Sequence, residues 1–145
     1  MSKSNAWETG LLNLLFNNSN FANVGDVTGL RGSTTAGSLY VSLHTADPGE
    51  AGTQSTNEAT YTGYARVAVA RSAGGWTISG NAVSNTAAIT FGACTAGSNT
   101  ITHFGVGTDS AGAGTLLYKG TTNSVSVTSG VTPSFPAGDL DITED

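Results

Sequence analysis

From Ser38 onward, the chain consists of short segments that alternate apolar and polar residues and are separated by turns containing glycine. The turn signals recur about every 8–12 residues, the spacing typical of strands in a β-sandwich or a barrel. We therefore predict an all-β fold, a β-sandwich or barrel-like domain with a short N-terminal helix and an extended arm. The predicted strands are Leu39–His44, Tyr64–Arg71, Trp76–Ser79, Ala82–Asn85, Ala88–Phe91, Thr100–Gly107, Thr115–Lys119, Ser124–Thr128 and Leu140–Thr143.

The predicted helix covers residues 5–17, and Ser4 or Asn5 can cap its N-terminus. Trp7, Leu11 and Leu15 lie at positions i, i+4 and i+8, and Leu12 and Phe16 lie beside them, so the five form one apolar face. A helix this short is not stable alone in water. Its apolar face must therefore pack either on its own domain or on a neighbouring subunit.

Residues 17–37 are rich in Asn, Gly, Ser and Thr, with few apolar residues between them. This composition predicts an extended connector or arm between the helix and the strands. The predicted organisation is an N-terminal helix and arm, residues 1–37, followed by a β domain, residues 38–145.

Charged residues make up only 10% of the chain, against about a quarter in ordinary soluble domains. The surface therefore consists mainly of hydroxyl and amide groups, which cost less to desolvate than ions and so suit permanent assembly. The net charge of −5 and the five scattered Lys and Arg residues argue against nucleic acid as a partner. The start of the sequence lacks a signal-peptide pattern, and no segment has the length of a membrane span. We expect a protein made in the cytoplasm of its host.

The segment between the first two predicted strands is about twenty residues long, and loops of that length are usually functional. It is acidic and amide-rich, and it contains the candidate interaction residues Asp47, Glu50 and Glu58. These acids do not have the spacing of a calcium loop. The two histidines, His44 and His103, lack a third ligand for a metal. We expect no metal, no cofactor and no enzymatic activity, and we interpret the loop as a contact surface.

The aromatic residues, which include Tyr61, Tyr64, Trp76 and Tyr118, are spaced through the predicted strands. Core packing is the ordinary role for such residues in a β domain. A platform of Trp and Tyr side chains that binds carbohydrate is the alternative.

Several segments resemble a pattern found in small structural proteins of tailed bacteriophages. They are LHTADPG, NEATYTGYARVAVARSAGGW, ITHFGVGT, GTLLYKG and VTPSFPAGDLDITED. The resemblance covers about residues 38–145 and carries no catalytic residue. Proteins of this group are capsid decoration (cement) proteins or tail-fibre-like proteins.

The resemblance implies a structural component of the virion. A compact domain with an extended N-terminal segment favours a cement protein on the capsid surface, a homotrimer bridging subunits of the major capsid protein. Trp7, Leu11 and Leu15, together with the acidic loop residues, are then the candidate protein contacts. The alternative is a tail component associated with a fibre, tip or tube, and a carbohydrate-binding module is a further alternative.

Overall fold

The computed structural model describes residues 2–144, and it is mostly β with one N-terminal helix. The predicted fold class is confirmed, although no closed barrel forms among these residues. The elements in chain order are α1 (Asn5–Asn17), β1 (Ser38–His44), β2 (Val67–Ala70), β3 (Trp76–Ser79), β4 (Ala82–Asn85), β5 (Ile89–Thr90), β6 (Asn99–Gly107), β7 (Leu116–Val127), β8 (Ser134–Phe135) and β9 (Asp141–Thr143).

The strands of the described residues form three sheets. The largest sheet has the order β2-β1-β6-β7, a three-stranded sheet has the order β3-β4-β9, and β5 pairs with β8. By their contacts the residues divide into two compact units. The first unit comprises Met1–Ser38, Ala70–Ala88 and Phe135–Asp145, and the second comprises Leu39–Val69 and Ile89–Ser134. The sequence predicts a division into two continuous regions, residues 1–37 and 38–145. The contact-based units are made of several separate segments, so they do not test this division, and it stays a prediction.

In the first unit, α1 packs against β3 and β4. Ser4 caps the helix, since its hydroxyl accepts a hydrogen bond from the Trp7 N–H. Asn18 ends the helix in the left-handed conformation, a backbone that Asn tolerates better than most residues. The fully buried Phe16 and Trp76 rings meet edge to face with their centroids 4.8 Å apart. This contact fixes the helix on the sheet.

The most deeply buried part of α1 is one side of the predicted apolar face. Leu12 and Phe16 are fully buried, whereas Leu11 and Leu15 are half-buried. Trp7 is 37% exposed and packs on the Phe21 ring with centroids 5.5 Å apart. The row of Leu12 and Phe16 is thus the fully buried edge of the predicted face, and the row of Trp7, Leu11 and Leu15 beside it is partly exposed.

Residues 18–36 fold back on the first unit and contain one hairpin. The backbone N–H and C=O groups of Phe21 and Leu30 bond to each other at 2.8 and 2.9 Å. The guanidinium of Arg71 donates to the carbonyl oxygens of Leu14 and Leu15 in the last turn of α1, and also to that of Ala36. Arg71 thereby satisfies helix carbonyls that have no partner within the helix.

In the second unit, β1 and β6 pair in register from Tyr40 opposite Gly107 to His44 opposite His103. β6 pairs on its other side with β7, with two register shifts. The sequence predicts two separate strands, Thr115–Lys119 and Ser124–Thr128, and this is wrong. A single strand continues through the intervening residues, and the extra length forms a bulge opposite Thr102.

Candidate interaction surface

The long loop that follows β1 is held by a buried ion pair rather than being a mobile connection. The Arg66 guanidinium makes two hydrogen bonds to the Glu58 carboxylate, 2.7 Å from Nε and 2.8 Å from Nη2. The Arg66 side chain is only 2% exposed. The Tyr64 hydroxyl donates to the same carboxylate at 2.8 Å, and burial raises the pKa of that hydroxyl. Hydrogen bonding to Glu58 likewise raises the pKa of Arg66.

Arg66 also joins this loop to the one between β6 and β7. Its Nη1 donates to the carbonyl oxygen of Asp109 at 2.9 Å, and its Nη2 donates to that of Gly112 at 2.6 Å. A planar guanidinium can satisfy several acceptors at once in fixed directions. The two loops are therefore fixed to each other through one side chain.

Gln54 makes a second connection between the same loops. Its Oε1 accepts from the Asp109 N–H at 2.9 Å, and its backbone N–H donates to the Ala113 carbonyl at 2.9 Å. The Gln54 side chain is fully buried, and a Cβ at Gly107 or Gly114 would overlap it. Glycine at these two positions leaves the room that the glutamine occupies.

His44 anchors the start of the loop. Its Nδ1 lies 2.8 Å from the Thr56 carbonyl oxygen, which can only accept, so Nδ1 carries the proton. Its Nε2 lies 2.8 Å from the Ser42 hydroxyl and accepts from it. Ser42 and His44 are both fully buried, so this serine–histidine pair cannot reach a substrate. Burial lowers the pKa of His44, which keeps the ring neutral.

The exposed part of the loop forms one wall of an open groove of about 260 Å³, which we call the acidic groove. It is lined by Gly49, Glu50, Leu116, Leu117, Tyr118 and Lys119. The Lys119 ammonium lies 3.1 Å from an Asp47 oxygen and 3.2 Å from a Glu50 oxygen. Two carboxylates thus share one ammonium, and the Glu50 side chain is 95% exposed.

The electrostatics of this cluster are those of an ion-paired surface. The Gly49 N–H and Lys119 lower the pKa of Asp47, and the two acids raise the pKa of Lys119. The Lys119 ammonium contacts both carboxylates and so occupies the position that a metal cation bridging Asp47 and Glu50 would need. Within residues 2–144 there is no cluster of three His, Cys, Asp or Glu side chains suited to a metal ion.

The predicted interaction residues therefore fall into three places. Glu50 lines the acidic groove, and Asp47 lies beside it through their shared contact with Lys119. The Glu58 carboxylate is engaged by Arg66 and Tyr64 within the chain. The role of all three as contact residues stays a prediction. Trp7, Leu11 and Leu15 lie on α1 in the other unit.

The sequence did not indicate that Arg66 and Gln54 hold the two loops together or that Lys119 pairs with Asp47 and Glu50. Lys119 is 72 positions from Asp47, and such a distant pair leaves no local pattern. Three aromatic residues that a carbohydrate platform could use are instead part of the core. Tyr61, Phe91 and Trp76 are buried, and the Tyr61 hydroxyl donates to the Gly92 carbonyl oxygen at 3.0 Å. Of the tyrosines, Tyr118 lines the acidic groove.

Among the described residues, no helix has the length and apolar character needed to cross a bilayer. A search of the curated proteins found no match. A family model described as podophage GP4 fiber I protein gp80 matches residues 2–143. This match agrees with the resemblance to small structural proteins of tailed phages and extends it to the N-terminal helix. Because it covers nearly the entire chain, the protein belongs to this phage fiber family and is a phage structural protein.

Proposed function

We propose that the protein is a structural subunit associated with a tail fibre of the phage and acts through protein contacts. The observation that carries this proposal is the family match over residues 2–143, because the description of that family names a fiber. The sequence alone favoured a capsid cement protein that contacts the major capsid protein. The family description supports the tail alternative better.

The construction of the loop surface also supports a binding role rather than a catalytic one. Arg66 and Gln54 hold two loops in one arrangement before any partner arrives. Pre-organisation of this kind lowers the entropy cost of association. The groups that resemble catalytic residues are buried or ion-paired, as in the Ser42–His44 pair and the Asp47–Lys119 contact.

Counting copies in purified virions tests the proposal. Quantitative mass spectrometry would compare peptides of this chain with peptides of the major capsid protein. A fibre subunit is present in far fewer copies than the shell protein, because fibres attach at one vertex. A ratio near one copy per shell subunit would contradict the proposal and support decoration of the capsid. Absence of the chain from purified virions would contradict both.

A further inference from the structure

We propose that the acidic groove binds the 21–31 hairpin of a second copy of this chain, with Arg31 of one copy pairing with Glu50 and Asp47 of the next. The 21–31 hairpin is the segment that is closed by the bridge between Phe21 and Leu30 and followed directly by Arg31. The inference goes beyond the proposed function, and it can be tested on the purified protein without reference to the virion.

The charged cluster at the acidic groove, which is formed by the lining residues Glu50 and Lys119 and by Asp47 next to Lys119, carries more negative than positive charge. Asp47 and Glu50 bring two carboxylates, and Lys119 brings one ammonium. The almost fully exposed Glu50 can accept a further donor without breaking its contact to Lys119, since a carboxylate accepts several hydrogen bonds. The groove therefore suits a partner that presents a cation.

The chain itself provides one cation for this role. Its five Lys and Arg residues all lie in the described part, and four of them have partners. These are Lys3 with Glu144, Arg66 with Glu58, Arg71 with the α1 carbonyls, and Lys119 with Asp47 and Glu50. Arg31 is exposed and makes no hydrogen bond or ion pair with any of residues 2–144. Among the described residues, Arg31 is thus the one Lys or Arg side chain without a partner. Its positive charge is opposite to the net negative charge of the cluster of Asp47, Glu50 and Lys119.

The hairpin before Arg31 is also organised in advance. The Asp26 carboxylate accepts from the N–H groups of Thr28 and Gly29 at 2.8 and 2.9 Å, which fixes the turn. The Asn20 side chain accepts from the Gly32 N–H at 3.0 Å, directly after Arg31. Little backbone entropy is then lost when the hairpin docks, and this favours binding.

The apolar groups of the two surfaces are complementary as well. Val27 lies in the hairpin and is 82% exposed, the most exposed of the large apolar side chains described. In the acidic groove, Leu116 and Leu117 are half-buried beside the charged groups. Docking would bury apolar surface next to an ion pair, which is the usual composition of a protein interface.

The 21–31 hairpin and the acidic groove are different surfaces of the chain, so the contact between two copies is head-to-tail. Such a contact closes into a ring when the rotation between copies permits, and otherwise it continues as a row. A second copy is favoured over another basic protein because the chain contains both complementary parts. Two copies that each carry a net charge of −5 repel each other, so their association requires a local contact between opposite charges such as Arg31 and Glu50.

Charge reversal tests this contact by sedimentation velocity over a concentration series. Arg31→Glu and Glu50→Lys should each weaken self-association by about tenfold or more, which corresponds to about 1.4 kcal/mol. Added salt should weaken the parent assembly, because salt screens exposed charges. An equimolar mixture of the two variants should associate again, since each then meets an opposite charge. Both sites are exposed, and far-UV circular dichroism will confirm that the variants remain folded.

Two controls accompany these variants. Arg31→Lys keeps the charge and should keep most of the association. Asp139→Lys makes the same change of net charge as Glu50→Lys at an exposed residue that belongs to neither the hairpin nor the groove lining, and it should leave association unchanged.

Several results would overturn the proposal. They are a parent chain that stays monomeric throughout the series, reversals without effect, or a mixture that does not associate. Loss of association in Glu50→Lys but not in Arg31→Glu would also overturn it, and it would indicate that a different basic segment occupies the groove.

Discussion

Replacing Arg66 with methionine tests whether one buried side chain fixes the loop surface. The change removes two hydrogen bonds to Glu58 and two to the carbonyls of Asp109 and Gly112. Removal of one partner from a buried ion pair costs about 3–5 kcal/mol. Glu58 is 16% exposed, so water can solvate part of the abandoned carboxylate. We therefore expect a value near the lower end, about 3 kcal/mol less free energy of unfolding.

The loss can be measured by urea unfolding and by thermal scans monitored with far-UV circular dichroism. For a chain of this size it corresponds to a decrease in Tm of about 6–12 °C. Arg31→Met is the matched control, because it removes an arginine that has no partner in the described structure, and it should change stability by less than about 0.5 kcal/mol. The double variant Glu58→Leu/Arg66→Met should recover part of the loss, since no charge is then left buried. A change for Arg66→Met as small as that of the control would refute the reasoning.

Three further predictions follow from the packing. Burial lowers the pKa of His44 below its usual 6.5, so below that pH the unfolded chain binds a proton more readily than the folded one. The free energy of unfolding should therefore decrease as the pH falls from 7 to below 6.5, and this decrease should be less steep in His44→Gln. Urea titrations at a series of pH values that give the same pH dependence of stability for both proteins would contradict this role of His44. Leu12→Ala truncates a core side chain and should lower the free energy of unfolding by about 2–5 kcal/mol, and Leu11→Ala should lower it clearly less. Equal losses measured by chemical denaturation would show that the two side chains are equally buried. Gly105→Ala should destabilise by about 1–3 kcal/mol, because the new Cβ would lie 2.7–2.8 Å from Ser42, His44 and Leu116; an unchanged Tm would show that these neighbours yield freely.

The fold class could be predicted from the sequence because alternation and glycine turns are local signals. β1, β3 and β4 lie within about one residue of their predicted positions. The break predicted within β7 failed for a physical reason. Gly120 and the polar residues after it have the composition of a turn, yet pairing with β6 absorbs them as a bulge.

The helix shows a different limit. Leu11, Leu12, Leu14, Leu15 and Phe16 put apolar side chains on several sides of α1, so periodicity could not select the buried row. Packing against Trp76 selects Leu12 and Phe16. The ring of Phe21 also occupies the space that a side chain at Gly10 would need, which explains a glycine inside a helix.

The candidate site was predictable only in part. The acidic composition of the loop indicated a contact surface, and Asp47 and Glu50 do lie at one groove. Glu58 has the same chemistry in the sequence, but the fold brings Arg66 against it. Which acid is exposed and which is buried depends on long-range pairing, and a single sequence carries no local signal for that.

A cryo-EM reconstruction of the intact phage can establish whether this chain is a fibre-associated structural subunit, as we propose. We predict density that fits residues 2–144 in fibres attached at the tail vertex. Density for the chain distributed over the capsid lattice would contradict the claim.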